Sequence, residues 1–232
     1  MAKHKLHTNK KDLEGKETVE VFKDLDRGAL DTERFLEKNS KLLIIIFGAL
    51  VLAVLGFFAY KQFYVEPRNE EATLSYLAAQ KNLADGKNDL ALGGKSAANP
   101  GYLGTYKDFS ETAVGKLSAY NAGLIKFKEG KYKESYDLLD EFSSKNKVLM
   151  ALKYGAMADC QANLNKSDEA LSLLDQAISA SDDPYTAYYF TRKAGILALA
   201  LKKNDAAKKY FPAVDEKYAD YDNGMSDSYI EM

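Results

Sequence analysis

Residues 42–60 read LLIIIFGALVLAVLGFFAY, 19 positions without a charge or a proline. As a helix rising about 1.5 Å per residue, the run measures roughly 28 Å, close to the hydrocarbon thickness of a bilayer. Lys38 and Lys41 stand before it and Lys61 after it. Phe57, Phe58, Tyr60, Phe63 and Tyr64 gather at its C-terminal edge, where a membrane helix keeps its aromatic belt. A soluble core helix rarely runs so far without a polar residue. A cleaved signal peptide has an apolar stretch of roughly 7–15 residues behind a short basic segment. This run is longer, follows 41 mostly polar residues and has no clear small-x-small site behind it. The expected element is therefore an uncleaved signal anchor that crosses a lipid bilayer once.

Lysine and arginine set its direction. Residues 1–41 hold ten of them, whereas residues 61–75 hold only Lys61 and Arg68. Such asymmetry places the N-terminus in the cytoplasm and the rest of the chain on the far side. The N-terminal tail is read as two parts. Residues 1–16 are Lys-rich and polar, as in a disordered tail. Ala2-Lys3-His4 would form a copper-binding tripeptide once Met1 is removed, but a solvated tail explains it more simply. Val19, Phe22, Leu25, Ala29, Leu30, Phe35 and Leu36 recur at roughly helical spacing, interrupted by Gly28. Asp31-Thr32 is a candidate cap for a second short helix. The reading is a short amphipathic helix that either rests on the membrane or a partner, or simply leads into the span.

Composition narrows the chemistry. Both histidines, His4 and His7, lie in the tail, so a folded-domain histidine base or histidine metal site is excluded. Cys160 is the only cysteine, which rules out an internal disulfide and a cysteine zinc site. Its apolar neighbours Ala158 and Ala162 mark a small buried hydrophobe, not a reactive thiol. A net charge of −2 gives no basic footprint for nucleic acid. The pairs Asp182-Asp183 and Asp220-Asp222 are placed in loops as caps and solvated acids. The basic run 126–133 reads as a solvated rim, with lipid headgroups second. No catalytic residue, metal site or cofactor is expected.

Beyond residue 65 no stretch alternates like a strand, and helical spacing dominates. The chain also repeats itself. AYNAGLIKFKEGKYKESYDLLDEF at 119–142 aligns without gaps to YGAMADCQANLNKSDEALSLLDQA at 154–177, a shift of 35. A third copy follows at a shift near 37. Small residues recur where two antiparallel helices would cross: Gly123, Ala158 and Gly195 on the first, Ser135, Ala170 and Ala207 on the second. Gly130 and Asn165 fit the intervening turn, where a left-handed residue is needed. Asp183-Pro184 is a helix start. The expected fold class is all-α: a single N-terminal transmembrane helix, then a helical solenoid. The expected boundaries are a cytoplasmic tail at 1–41, the span at 42–60, a linker with a degenerate hairpin at 61–112, and three repeats with a short C-terminal cap at 113–232. In the degenerate hairpin, Ala72, Tyr76, Ala79 and Leu83 form an apolar stripe that 85–94 breaks, and 102–109 forms a short helix.

This pattern resembles the tetratricopeptide repeat over about residues 115–218. It departs in having Phe142 and Val214 late in the second helix, no first-helix Trp, and a third turn at 202–205 without Gly. The whole layout resembles the YfgM-type membrane-anchored repeat proteins, particularly their Bacteroidota branch. The resemblance rests on Arg34 to Asn39 before the span, Phe63-Tyr64-Val65-x-Pro67 after it, Tyr188-Tyr189, and Ser179-Ala180-Ser181. It implies an inner-membrane protein with a periplasmic repeat domain, an ancillary subunit of the Sec translocon. Its implied partners are the translocon channel subunits and a membrane-anchored periplasmic peptidyl-prolyl isomerase of the PpiD type, with unfolded exported proteins as further candidates.

Repeat geometry puts part of each first helix on the concave face. That register selects Leu117, Tyr120, Leu124 and Phe127, then Asp159 and Asn163, then Tyr189, Arg192 and Ile196. These residues are either a partner-binding groove or core covered by the N-terminal hairpin. The alternatives to a translocon scaffold are a tethered repeat scaffold in envelope assembly or cell division and, much less favoured, an enzyme.

Overall fold

The computed structural model describes residues 10–226, with side chains from residue 35 onward. The Ala2-Lys3-His4 motif and residues 227–232 of the expected cap lie outside them. The chain divides into two compact units between Tyr64 and Val65. Every regular element of the described residues is helical; one isolated bridge joins Ser96 and Asn99.

The first unit is built on α1, Lys10–Tyr60. It runs through Gly28, so the expected interruption there does not occur. A single glycine weakens a helix by roughly 1 kcal/mol relative to alanine, and the good helix formers around it absorb that. The helix contains an 18-residue window of mean hydropathy 3.0, none of it buried. It is thus long and apolar enough to cross a membrane, and it is not a core helix. Its end is a π-helical turn, Lys61–Val65, at the start of the expected linker. Tyr60 and Tyr64 stack there at 5.3 Å.

The second unit is an antiparallel array of nine helices among the described residues: α2 (Glu66–Ala84), α3 (Asn88–Gly93), α4 (Gly101–Phe109), α5 (Ala113–Lys128), α6 (Tyr132–Asp140), α7 (Lys147–Asn163), α8 (Ser167–Ala180), α9 (Pro184–Ala200) and α10 (Asn204–Asp222). The segment 85–94, expected to break structure, forms α3 and buries Ala91 and Leu92. From the stripe, Tyr76, Ala79 and Leu83 pack with them and with Tyr102 and Ile125 into one core, and Ala72 is buried as well. A second core runs through the repeats, from Leu139 to Phe211.

Four hairpins turn in the same way. In α5–α6, Gly130 N–H bonds the carbonyl of Phe127 and Lys131 N–H that of Lys126. The same pair of bonds recurs at Gly86 and Lys87, at Asn165 and Lys166, and at Lys202 and Lys203. This is the Schellman closure, which needs one left-handed residue. Gly86, Gly130, Asn165 and Lys202 supply it, with φ of 73°, 75°, 59° and 57°. The first helices instead begin on side-chain caps: Thr112 accepts from Gly115 N–H, Asn146 from Leu149 N–H, and Asp183 from Thr186 N–H.

The expected small-residue crossings are all buried. Ser135 donates its hydroxyl to the carbonyl of Gly123 at 2.8 Å, which satisfies a polar group at the closest approach. Cys160 is wholly buried and donates to Ser135. Burial pushes its thiol up from the ordinary value.

Phe142 lies beyond the second helix of its hairpin, not late within it, because α6 stops at Asp140. Lys153, buried on α7, donates to the carbonyls of Asp140 and Phe142 at 2.8 and 2.9 Å and so caps the shortened helix. Phe142 then folds back, buried, onto Tyr120 at 5.0 Å.

Candidate functional site

α9 presents Tyr185, Tyr188, Tyr189, Arg192 and Ile196 at spacings of three, four and seven, which puts them on one helix face. Lys193 stands beside them. The opposite wall comes from α10. Pro212 lies inside this helix, and Tyr218 leaves helical geometry with φ −133° and ψ 20°. After the kink Tyr221 stacks on Tyr188 at 6.2 Å and meets Tyr185 edge-on at 6.1 Å. Left-handed Asn223 and Gly224 then turn the chain so that Met225 reaches the same opening. The result is a cavity of about 460 Å³ between α9 and the post-kink segment.

Asp222 holds this wall in place. It is buried, yet it accepts three hydrogen bonds: from Tyr188 Oη at 3.1 Å, Ser226 N–H at 2.7 Å and Ser226 Oγ at 2.9 Å. The sequence places Asp222 in a loop as a solvated acid; it is instead the buried end of α10, fixed by these donors. Burial pushes the Tyr188 hydroxyl up, and the Asp222 carboxylate adds to the shift. Arg192 Nε lies 3.7 Å from Asp222 Oδ1, an ion pair too long for a hydrogen bond, and is buried with no hydrogen-bond partner among the described residues. Lys193 pairs with Asp159 of α7 at 2.7 Å. Asn163 donates to the Asp159 carbonyl at 2.8 Å.

The concave-face residues therefore divide. Tyr189, Arg192 and Ile196 line this one cavity. Leu117 lines another, of about 680 Å³, where α5 faces residues 142–149. Tyr120, Leu124 and Phe127 are half-buried and pack against the repeat core, with Phe127 on Tyr132 at 5.3 Å. Burial pushes the Tyr120 hydroxyl up. Sequence reasoning did not select Tyr185, Tyr188, Tyr221 or Met225 as site residues. The spacing of Tyr185 and Tyr188 to Arg192 was a usable signal. Tyr221 and Met225 carried none, because only the kink at Tyr218 brings them to α9.

The model of the tetratricopeptide repeat-like domain matches residues 33–227. The chain belongs to the tetratricopeptide repeat-like family. The match begins ahead of the apolar run, so it covers the membrane-length helix as well as the hairpins. No curated protein matches the chain.

Proposed function

We propose that this protein is a non-enzymatic, single-pass scaffold of the inner membrane. Its N-terminus faces the cytoplasm, its repeats face the periplasm, and it serves as an ancillary subunit of the Sec translocon. There the repeats hold a membrane-anchored peptidyl-prolyl isomerase of the PpiD type and receive emerging unfolded chains. The observation that carries the scaffold part is the family match from 33 to 227, which covers both the membrane-length helix and the helical array. The lysine and arginine asymmetry around residues 42–60 supports the orientation. The translocon and the isomerase enter through the motifs around the span and the last repeat that resemble YfgM-type proteins.

Affinity purification of the full-length protein in mild detergent tests the reading. Translocon channel subunits and a periplasmic isomerase in near-stoichiometric amounts are expected. Recovery of division or outer-membrane assembly factors in their place would move the scaffold to another envelope task.

A further inference from the structure

We propose that the cavity between α9 and the post-kink end of α10 is a peptide site that takes a carboxylate side chain flanked by apolar residues, with Arg192 as its anchor. The inference deepens the scaffold reading and rests on it. It does not depend on which complex the scaffold joins.

Arg192 carries the argument. A guanidinium has five N–H donors. Its ion pair among the described residues is with Asp222, and that carboxylate already accepts from Tyr188 and Ser226. Asp222 therefore offsets charge without taking an Arg192 donor. Nε is sealed off, while the side chain as a whole is 30% exposed and lines the cavity. Donors held this way fit the planar, two-oxygen face of a carboxylate. The neighbouring cation is not equivalent. Lys193 is committed to Asp159, so the cavity offers one anion position, not two.

The walls select what flanks the anion. Tyr185, Tyr189, Ile196 and Met225 remain 60%, 49%, 38% and 52% exposed. They stand on both sides of Arg192, so a bound segment covers apolar surface before and after its acid. Tyrosine walls supply contact area at low entropic cost. A cavity of about 460 Å³ lies within the usual size of ligand pockets. A wholly apolar segment fits poorly, because it would strip water from Arg192 and return no acceptor. A phosphate group leaves the apolar walls unused.

The test uses the purified full-length chain in detergent micelles and an end-blocked fluorescent hexapeptide, Ser-Leu-Tyr-Glu-Leu-Ser, read by fluorescence polarisation. The analogue with Gln in place of Glu is expected to bind at least roughly tenfold more weakly, the usual scale for a charge-assisted bond. Arg192→Gln is expected to bind both peptides equally, at the Gln-analogue level. Ile196→Asp is expected to weaken both. Equal affinity of the native chain for the two peptides, or no binding of either, would overturn the proposal. So would Arg192→Gln keeping the discrimination. If Arg192→Gln loses its helical circular dichroism, the two peptides on the native chain still decide. This measurement needs no partner protein, so its failure is separate from a failed co-purification.

Discussion

Glycines in this chain sort by what stands opposite their missing side chain. A Cβ on Gly155 would enter the ring of Phe190, and one on Gly123 would come 2.9 Å from Leu139 Cγ. Gly56, in the apolar helix, has nothing within 4 Å. Gly155→Ala should therefore destabilise by roughly 1–3 kcal/mol through overpacking, whereas Gly56→Ala should not lower the melting temperature. Thermal circular dichroism of the full-length chain measures both, and equal effects would contradict the packing seen at Gly155. Asp183 makes a different prediction. Its carboxyl is held below the usual aspartate value, first by the Thr186 hydroxyl and then by the Thr186 N–H, at 2.6 and 2.7 Å. A depressed folded-state value means the contribution is present above the unfolded value and fades as pH falls through the folded one. Asp183→Ala should melt below the native chain at neutral pH. The difference should vanish once the pH falls below the folded-state value.

At the scale of elements, the hairpin turn is the repeating device. Gly86-Lys87, Gly130-Lys131, Asn165-Lys166 and Lys202-Lys203 close four hairpins with one bond pattern. Three of these turns show a residue suited to φ > 0, and the fourth uses lysine at 57°. Lysine there carries the left-handed penalty that glycine escapes. Lys202→Gly should raise stability by up to about 1 kcal/mol, and Gly130→Ala should lower it by a similar amount. Urea titration of the two variants against the native chain checks the pair of signs. The first two true turns were legible because glycine and asparagine announce them. The turn at Gly86 was hidden because α3 is only six residues long and lacks a helical period to read. The early end of α6 was hidden too. It depends on Lys153, a residue 13 positions beyond Asp140, reaching back to cap its carbonyl.

The whole molecule joins a membrane-length helix to a repeat array, and the two respond to different forces. Leu52 is 70% exposed in a window with no burial, so its environment must come from outside the chain. Leu52→Arg should raise the insertion free energy by roughly 3–4 kcal/mol and shift the protein into the alkaline carbonate-soluble fraction. An unchanged membrane fraction would show that this helix does not span. The apolar run, the all-helical class and the small-residue crossings were readable from the sequence. Each is a local or periodic property: the length of an uncharged stretch, a spacing of three and four, a shift of 35 between copies. Where the concave residues went was not readable in the same way. Leu124 and Phe127 pack into the repeat core, while Tyr189, Arg192 and Ile196, on equivalent helical spacing, open onto a cavity. Their difference lies in what packs opposite. Tyr218 breaks α10, Asp222 is fixed by Tyr188 and Ser226, and Tyr221 and Met225 become a wall. Periodicity determines which face of a helix a side chain occupies. What stands across from that face is set by contacts between residues more than thirty positions apart, and only the tertiary structure decides those.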